Sequence, residues 1–222
     1  MQSLVPAPWT LHGNGFVLLY HLPESFNRRW GFMQDFQHQG YKGWLGAVML
    51  MDYVSSPAGP YQELLFIPGL IHRGGKLGFT VSKIYTSTEI SQQSGLYNWG
   101  FPKEHAHFEW NQKSGGTQHI KVEHNGELIL ESEINKKTLS FPFSTKLLPL
   151  NRLIQQAGDN FFFTRPRASG RLGFASVHDI SAGSSFFPPV QERKPLAVLS
   201  FRNFTMEFPP ASVLSSYPAL KQ

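Results

Sequence analysis

The sequence contains no cysteine among its 222 residues, which excludes disulfides and thiolate metal sites. Charge is sparse as well: Asp, Glu, Lys and Arg make up 16% of the chain, with a net charge of +5. The cations fall in short scattered groups, Arg28-Arg29, Lys136-Lys137, Arg165 to Arg171 and Arg193-Lys194. No basic stripe with interleaved aromatics runs along one element, which argues against a nucleic-acid partner. No apolar run approaches 18 residues, so no segment reads as a membrane-spanning helix. The N-terminus lacks a charged n-region followed by an apolar h-region, and a cytoplasmic protein is the expectation. Two catalytic signatures are also missing. Ser94-Gly95 and Ser169-Gly170 lack the Gly-x-Ser-x-Gly elbow of hydrolases, and Gly74-Gly75-Lys76 lacks the spacing of a phosphate loop.

What the chain does have is aromatic bulk, 19 Phe in all, and turn residues between short apolar runs. A chain of this length buries about 70% of its unfolded surface. Strands are expected at Phe16 to Tyr20, Tyr61 to Pro68, Phe79 to Tyr85, His105 to Trp110 and Leu196 to Phe208, from apolar or alternating patterns. Trp44 to Tyr53 is apolar but too short to read as a helix. Pro23 to Phe26 opens a short helix running to Arg29 or Trp30. His119 to His124 and Glu127 to Glu133 flank Asn125-Gly126, the signature of a tight hairpin. Leu147 to Gln156 reads as a short helix, and Phe161 to Thr164 with Leu172 to Val177 as a second hairpin. The organisation predicted is one domain over residues 1–214 with a flexible tail at 215–222. The Phe161-Phe162-Phe163 and Phe186-Phe187 clusters are expected in the core or at a subunit interface.

One segment speaks about chemistry: Gly95-Leu96-Tyr97-Asn98-Trp99-Gly100-Phe101-Pro102-Lys103. It sets a single lysine after an aromatic-Pro step in a run almost free of charge. A neutral lysine amine attacks ketones, but in water a lysine titrates near 10.4, so only about one in two thousand is neutral at pH 7. Apolar surroundings raise that fraction by penalising the charged form. Trp99, Phe101 and Pro102 supply apolar bulk, and Pro102 biases Phe101 toward extended backbone. An imine formed there withdraws electrons from the neighbouring carbon, so the lysine serves as nucleophile and electron sink together.

The segment resembles the active-site stretch of the acetoacetate decarboxylase family, where a Gly-Arg-Glu step leads to an aromatic-Gly-aromatic-Pro-Lys run. Acetoacetate decarboxylase is itself the standard example of a lysine made nucleophilic by its surroundings. Three further features carry the likeness. Tyr85 stands ten residues before Gly95, Gly59-Pro60-Tyr61-Gln62-Glu63 is similar to the strand start bearing a pocket glutamate, and Pro8-Trp9-Thr10-Leu11-His12 is similar to the N-terminal Pro-aromatic-x-x-His run. The likeness spans about Pro8 to Trp110. It implies a mainly β fold (β-rich α+β): an antiparallel β-barrel or cone with a few short peripheral helices, enclosing a small pocket. It also implies a homo-oligomer, no cofactor, and a small-molecule keto acid or related ligand as partner. Lys103 is the implied Schiff-base residue and Glu63 its pocket partner. Tyr97, Asn98, Trp99 and Phe101 are taken as substrate-binding residues.

The pattern also departs from the family. The lysine that follows the reactive one in the decarboxylases is Glu104 here, and the Arg-Glu of the Gly-Arg-Glu step is Leu96-Tyr97. The pocket arginine falls near Asn14 and a second glutamate at Val48, leaving Arg28, Arg29, Arg73 and Arg165 as other sources of a carboxylate clamp. His105-x-His107-x-Glu109 shares the strand parity of Lys103; it is read first as a polar strand face, next as a proton donor lining the same pocket, and last as a metal site. Three functions stay open: a carbon–carbon lyase on a β-keto acid, a Schiff-base aldolase or dehydratase on a larger keto substrate, and a non-catalytic barrel. The last would show a Lys103 amine turned to solvent or held by a carboxylate.

Overall fold

In the computed structural model, residues 3–215 are described, with sixteen strands and three α-helices among them. The strands are β1 (Trp9–His21), β2 (Tyr41–Gly43), β3 (Leu45–Ser55), β4 (Tyr61–Ile67), β5 (Gly69–Arg73), β6 (Lys76–Thr80), β7 (Lys83–Thr86) and β8 (Lys103–His105) in the first half. The second half holds β9 (His107–Gln112), β10 (Thr117–His124), β11 (Glu127–Ser144), β12 (Leu153–Ala157), β13 (Asn160–Thr164), β14 (Arg167–Ala182), β15 (Ala197–Phe208) and β16 (Ser212–Ser215). The helices are α1 (Glu24–Trp30), α2 (Asp35–Gly40) and α3 (Glu89–Trp99). None is long and apolar enough to cross a membrane.

Ten strands form one sheet in the order β8-β7-β4-β3-β1-β15-β14-β11-β10-β9. Its two end strands, β8 and β9, are consecutive in the chain and separated only by Ala106, so the sheet curls into a nearly closed barrel. Every pair in it is antiparallel except β7 with β8. A second sheet runs β16-β13-β12-β6-β5-β2. The fold class is the β-rich barrel with few helices that the sequence implied.

Strand periodicity explains how the two sheets create a site. In β3 and β4, Val48, Leu50, Leu64 and Phe66 belong to one apolar cluster. The alternate residues Met51, Tyr53, Tyr61 and Leu65 belong to another. Successive side chains point to opposite faces, so both faces of these strands are buried. The second cluster also takes Val81, Ile84, Trp99, Phe101 and Phe204. Phe161 and Phe163 pack in a third cluster with Ile71 and Ile154, and Phe187 is buried in the first.

Several local expectations hold: α1 starts directly after Pro23, and β10 and β11 meet at Asn125-Gly126, both at positive φ. Others need correction. The single strand expected over Phe79 to Tyr85 is two strands in different sheets, broken where Ser82 N–H donates to Phe66 O at 3.1 Å. The helix expected over Leu147 to Gln156 is a short turn followed by strand β12, paired with β13 and with β6. A short apolar run carries no period that separates helix from strand. Phe161 to Thr164 and Leu172 to Val177 are not a hairpin. The turn at Gly158, with positive φ, joins β13 to β12, while β14 pairs with β11 and β15. The run 87–99, left unassigned by pattern, holds α3. Ser215 closes β16, and the remainder of the expected tail, 216–222, lies outside the described residues.

Candidate functional site

The chain reverses at the end of α3 in a way that aims Lys103 back along the helix. Gly100 caps the helix in the left-handed conformation, φ 69°, its N–H donating to the Gly95 and Leu96 carbonyls, a geometry that favours glycine. Phe101 and Pro102 complete the reversal, with Lys103 N–H donating to Phe101 O at 2.8 Å. Ser91, Gly95 and Trp99 recur every four residues and so share one face of α3, the face the lysine crosses. A Cβ on Gly95 would lie 2.7 Å from Lys103 Cε and 2.9 Å from Cδ. Glycine in a helix interior costs roughly 1 kcal/mol relative to alanine. Here it leaves room for the lysine stem.

The amine ends in a buried polar knot. Lys103 Nζ donates to Glu63 Oε1 in a short contact and to Ser91 Oγ at 3.0 Å. The lysine and glutamate side chains are only 4% and 6% exposed, so neither charge finds water and each is balanced by the other. Tyr53 OH donates to the second carboxylate oxygen of Glu63 at 3.2 Å. The Tyr61 ring lies 5.3 Å from Nζ, within the range of a cation–π contact. Burial, and then the negative charge of Glu63, hold the Tyr53 and Tyr61 hydroxyls well above the ordinary tyrosine range, with Ser91 pulling Tyr61 weakly the other way. Both hydroxyls are therefore neutral at physiological pH, and that of Tyr53 donates to Glu63.

Beside this knot lies a cavity of about 160 Å³. Its wall is apolar: Trp9, Leu11, Leu65, Val81, Ile84, Trp99 and Phe101 line it together with the two tyrosines. Among the described residues, Glu63 and Lys103 are its only charged lining residues. The half-exposed residues of the lining, Met49, Ile67, Leu153, Pro166, Met206 and Phe208, mark the mouth. The volume resembles that of an apolar cavity of about 150 Å³ that admits benzene, so it suits a small reacting group.

The structure thus brings together Lys103, Glu63, Trp99 and Phe101 of the residues singled out by sequence. Tyr97 and Asn98 are not in the lining. Tyr97 is 64% exposed. Asn98 instead anchors the N-terminal segment, accepting from Ala7 N–H at 3.0 Å and donating to Val5 O at 2.8 Å, which holds Trp9 edge-on to Trp99 at 5.2 Å. Glu104 pairs with Lys83 at 2.5 Å, away from the amine. His105 does not share the site of Lys103. The strand breaks at Ala106, and the exposed His105 ring reaches only the Ser87 carbonyl. No cluster of three potential metal ligands occurs among the described residues. Asn14 caps Asn203 N–H and Val48 is in the main core. No arginine lines the cavity.

Two contributors escaped the sequence. Tyr53 faces Tyr61 across the β3–β4 ladder, and Ser91 lies one helical turn before Gly95. The spacing Ser91-x-x-x-Gly95 was the available signal, legible only once 89–99 is taken as a helix.

Comparison with known proteins gives the context. No curated protein sequence matches the chain. Its structure is similar to that of acetoacetate decarboxylase from Legionella pneumophila, at 12% identity over 98% of this chain and 91% of that one, with a TM-score of 0.77. It is also similar to an acetoacetate decarboxylase-like enzyme from Sphingomonas wittichii RW1, at 11% identity, 96% and 95% coverage and a TM-score of 0.70. A third is the enduracididine biosynthesis enzyme MppR complexed with the condensation product of pyruvate and imidazole 4-carboxaldehyde, at 14% identity, 97% and 92% coverage and a TM-score of 0.67. At such identities these likenesses speak to fold. Residues 43–160, more than half of the 222, match the family model described as acetoacetate decarboxylase, and on that ground the chain belongs to the acetoacetate decarboxylase family.

Proposed function

We propose that this chain is an enzyme in which Lys103 forms an imine with a ketone or aldehyde, and that it makes or breaks a bond beside that carbonyl in the manner of an aldolase or dehydratase. The observation that carries the reading is a buried lysine amine at the end of an apolar cavity, in contact with a carboxylate able to take its proton. The proton passes from the ammonium to Glu63, and the neutral amine adds to the carbonyl carbon. The carbinolamine then takes the proton back from Glu63 as it expels water, leaving an iminium. Glu63, again a carboxylate, removes a proton from the adjacent carbon to give the enamine, or from a β-hydroxyl, whereupon the Cα–Cβ bond breaks, the β-carbon leaves as an aldehyde or ketone and the bond's electron pair makes the enamine. A general base must be within hydrogen-bond reach of its proton, and Glu63 already touches the nitrogen.

Charge favours this chemistry over decarboxylation. The resting ammonium–carboxylate pair is neutral overall, and so is the iminium–carboxylate pair. An uncharged carbonyl group therefore adds no net charge to the cavity. The carboxylate of a β-keto acid would add one beside Glu63, and no second cation among the described residues lines the wall to meet it, a costly burial. The enduracididine enzyme of this fold, complexed with a condensation product of two carbonyl compounds, supports carbonyl condensation as the class. Family membership supports the second reading, a β-keto-acid lyase working through the same lysine.

The ion pair is also the mark set for a binding-only barrel, and trapping separates the two. Borohydride reduction in the presence of a panel of ketones, aldehydes and β-keto acids, followed by peptide mass spectrometry, is expected to place an adduct on Lys103 and none on Lys103→Met. Absence of any adduct across the panel overturns covalent catalysis. An adduct with release of carbon dioxide selects the lyase, and an adduct without it the aldolase or dehydratase. The proposal carries with it a cytoplasmic homo-oligomer with one domain over 1–214, for which light scattering and a single cooperative melting transition are the checks.

A further inference from the structure

The mouth of the cavity has a charged rim that the reaction does not use. Leu153, Pro166 and Phe208 line the cavity, and their chain neighbours Arg152, Arg165 and Pro209 line an adjoining hollow of about 320 Å³. Consecutive residues thus flank the two spaces at three separate points of the chain. The hollow is completed by Lys76, Phe163, Pro210 and Ser212, with no acidic residue in its lining among the described residues. None of its three cations is ion-paired among the described residues. Two of them are positioned all the same: Arg152 Nη1 donates to Leu77 O at 2.9 Å, and Lys76 Nζ lies 4.5 Å over the buried Phe163 ring; Arg165 directly follows β13. Arg152 is held below the ordinary arginine range by burial and then by the charge of Arg165. Both guanidiniums line the same hollow, so an anion held there would offset the charge of both.

We propose that Lys76, Arg152 and Arg165 form an oxyanion site at the cavity mouth, which holds the carboxylate or phosphate tail of a substrate whose carbonyl enters the cavity. The tail would supply from outside the charge recognition that the cavity wall lacks, and would select long keto compounds with the anion remote from the carbonyl over short β-keto acids. Guanidinium pairs suit such oxyanions because their N–H groups match two oxygens at once. The carbonyl half of this rests on the imine reading above, so the test is made where no imine can form.

In Lys103→Met/Glu63→Gln, calorimetry is expected to show 7-oxooctanoate and 5-oxohexyl phosphate binding about tenfold or more tighter than the uncharged 2-octanone at low salt. The ratio of the two anions tells carboxylate from phosphate preference. Adding Arg152→Gln and Arg165→Gln should erase that advantage and leave 2-octanone unchanged. Equal affinity for charged and uncharged ketones, or an advantage that survives both substitutions, overturns the proposal. Should the arginine variant fail to fold, the salt dependence decides: the advantage must shrink as ionic strength rises, and one indifferent to salt overturns the site. Failure to trap an imine in the wild-type chain overturns the Lys103 chemistry and leaves this binding comparison to stand or fall by itself.

Discussion

The two faces of β3 and β4 are both buried, yet they are built for different ends. One face carries Val48, Leu50, Leu64 and Phe66, each fully buried, in a cluster whose members are almost all apolar. The other carries Tyr53, Tyr61, Glu63 and Leu65, with a cavity and a buried ion pair against it. Residues one step apart in sequence thus serve a packed interior and a chemical one. Close packing is what gives the first face its worth, and its deliberate interruption gives the second its opening. The largest break in the comparison should come on the packed side. Phe66, 0% exposed and stacked edge-on to Phe187, should cost about 3–5 kcal/mol when replaced by alanine, read as a lower denaturant midpoint at unchanged slope. A loss below about 1 kcal/mol would mean that this face is not the tighter of the two.

On the cavity side the corresponding test is of charge. Glu63→Gln leaves the Lys103 ammonium buried without its counter-ion, and removing one partner of a buried pair costs on the order of 3–5 kcal/mol, unless the ammonium sheds its proton. Replacing both, as Lys103→Met/Glu63→Gln, removes two desolvation penalties along with their attraction and is expected to come out nearly neutral. The double variant should therefore be more stable than the single one. If Glu63→Gln alone is harmless, the pair does not hold its charges in the folded state.

How much of this was legible in the sequence follows from the same alternation. Lys103 and Glu63 stood out because each sits in a short run with an unusual composition, an aromatic-Pro-Lys step and a Gly-Pro-Tyr-x-Glu start. The hairpin at Asn125-Gly126 was legible because two positive-φ positions demand such residues. Tyr97 and Asn98 were taken for cavity wall because 95–103 was read as one continuous lining. In fact α3 runs through residue 99, and a helix turns about 100° per residue. Ser91, Gly95 and Trp99 therefore face the lysine while Tyr97 faces solvent. The helix itself escaped because Glu-Ile-Ser-Gln-Gln-Ser-Gly presents no apolar stripe, and its buried residues, Ser91, Ser94, Gly95 and Trp99, are mostly small or polar. The cavity could not be found from any local pattern, since β1, β3, β4, β7, β12, β15 and α3 all contribute to it.

Gly95 joins these two lessons in one substitution. Gly95→Ala should gain up to about 1 kcal/mol of helix propensity, offset by the approach of the new methyl to Lys103 Cε. Stability is then expected to move by less than about 1 kcal/mol. The lysine stem, however, must give way, and its amine must leave the spot between Glu63 and Ser91. Borohydride trapping is therefore expected to slow by about tenfold or more, in line with the sensitivity of reaction to misplacement of about 1 Å. Unchanged trapping would show that the amine does not react from the position seen here.

The smallest effect at neutral pH is one that appears only in alkali. The Tyr53 and Tyr61 hydroxyls are held well above the ordinary range by burial and by the Glu63 charge, and Tyr20 and Tyr85 are raised by burial. In the unfolded chain these groups titrate near 10. Below that pH both states are protonated and the stabilising contribution of keeping the hydroxyls neutral is fully present. Above it the unfolded chain loses protons that the folded chain retains, so stability falls as pH rises toward the folded values. Phenolate absorbance should accordingly show these buried hydroxyls ionising only together with the loss of folded signal. Early, independent ionisation of all the tyrosines would show that the cavity face admits water freely, and would remove the contrast between the two faces of the strands.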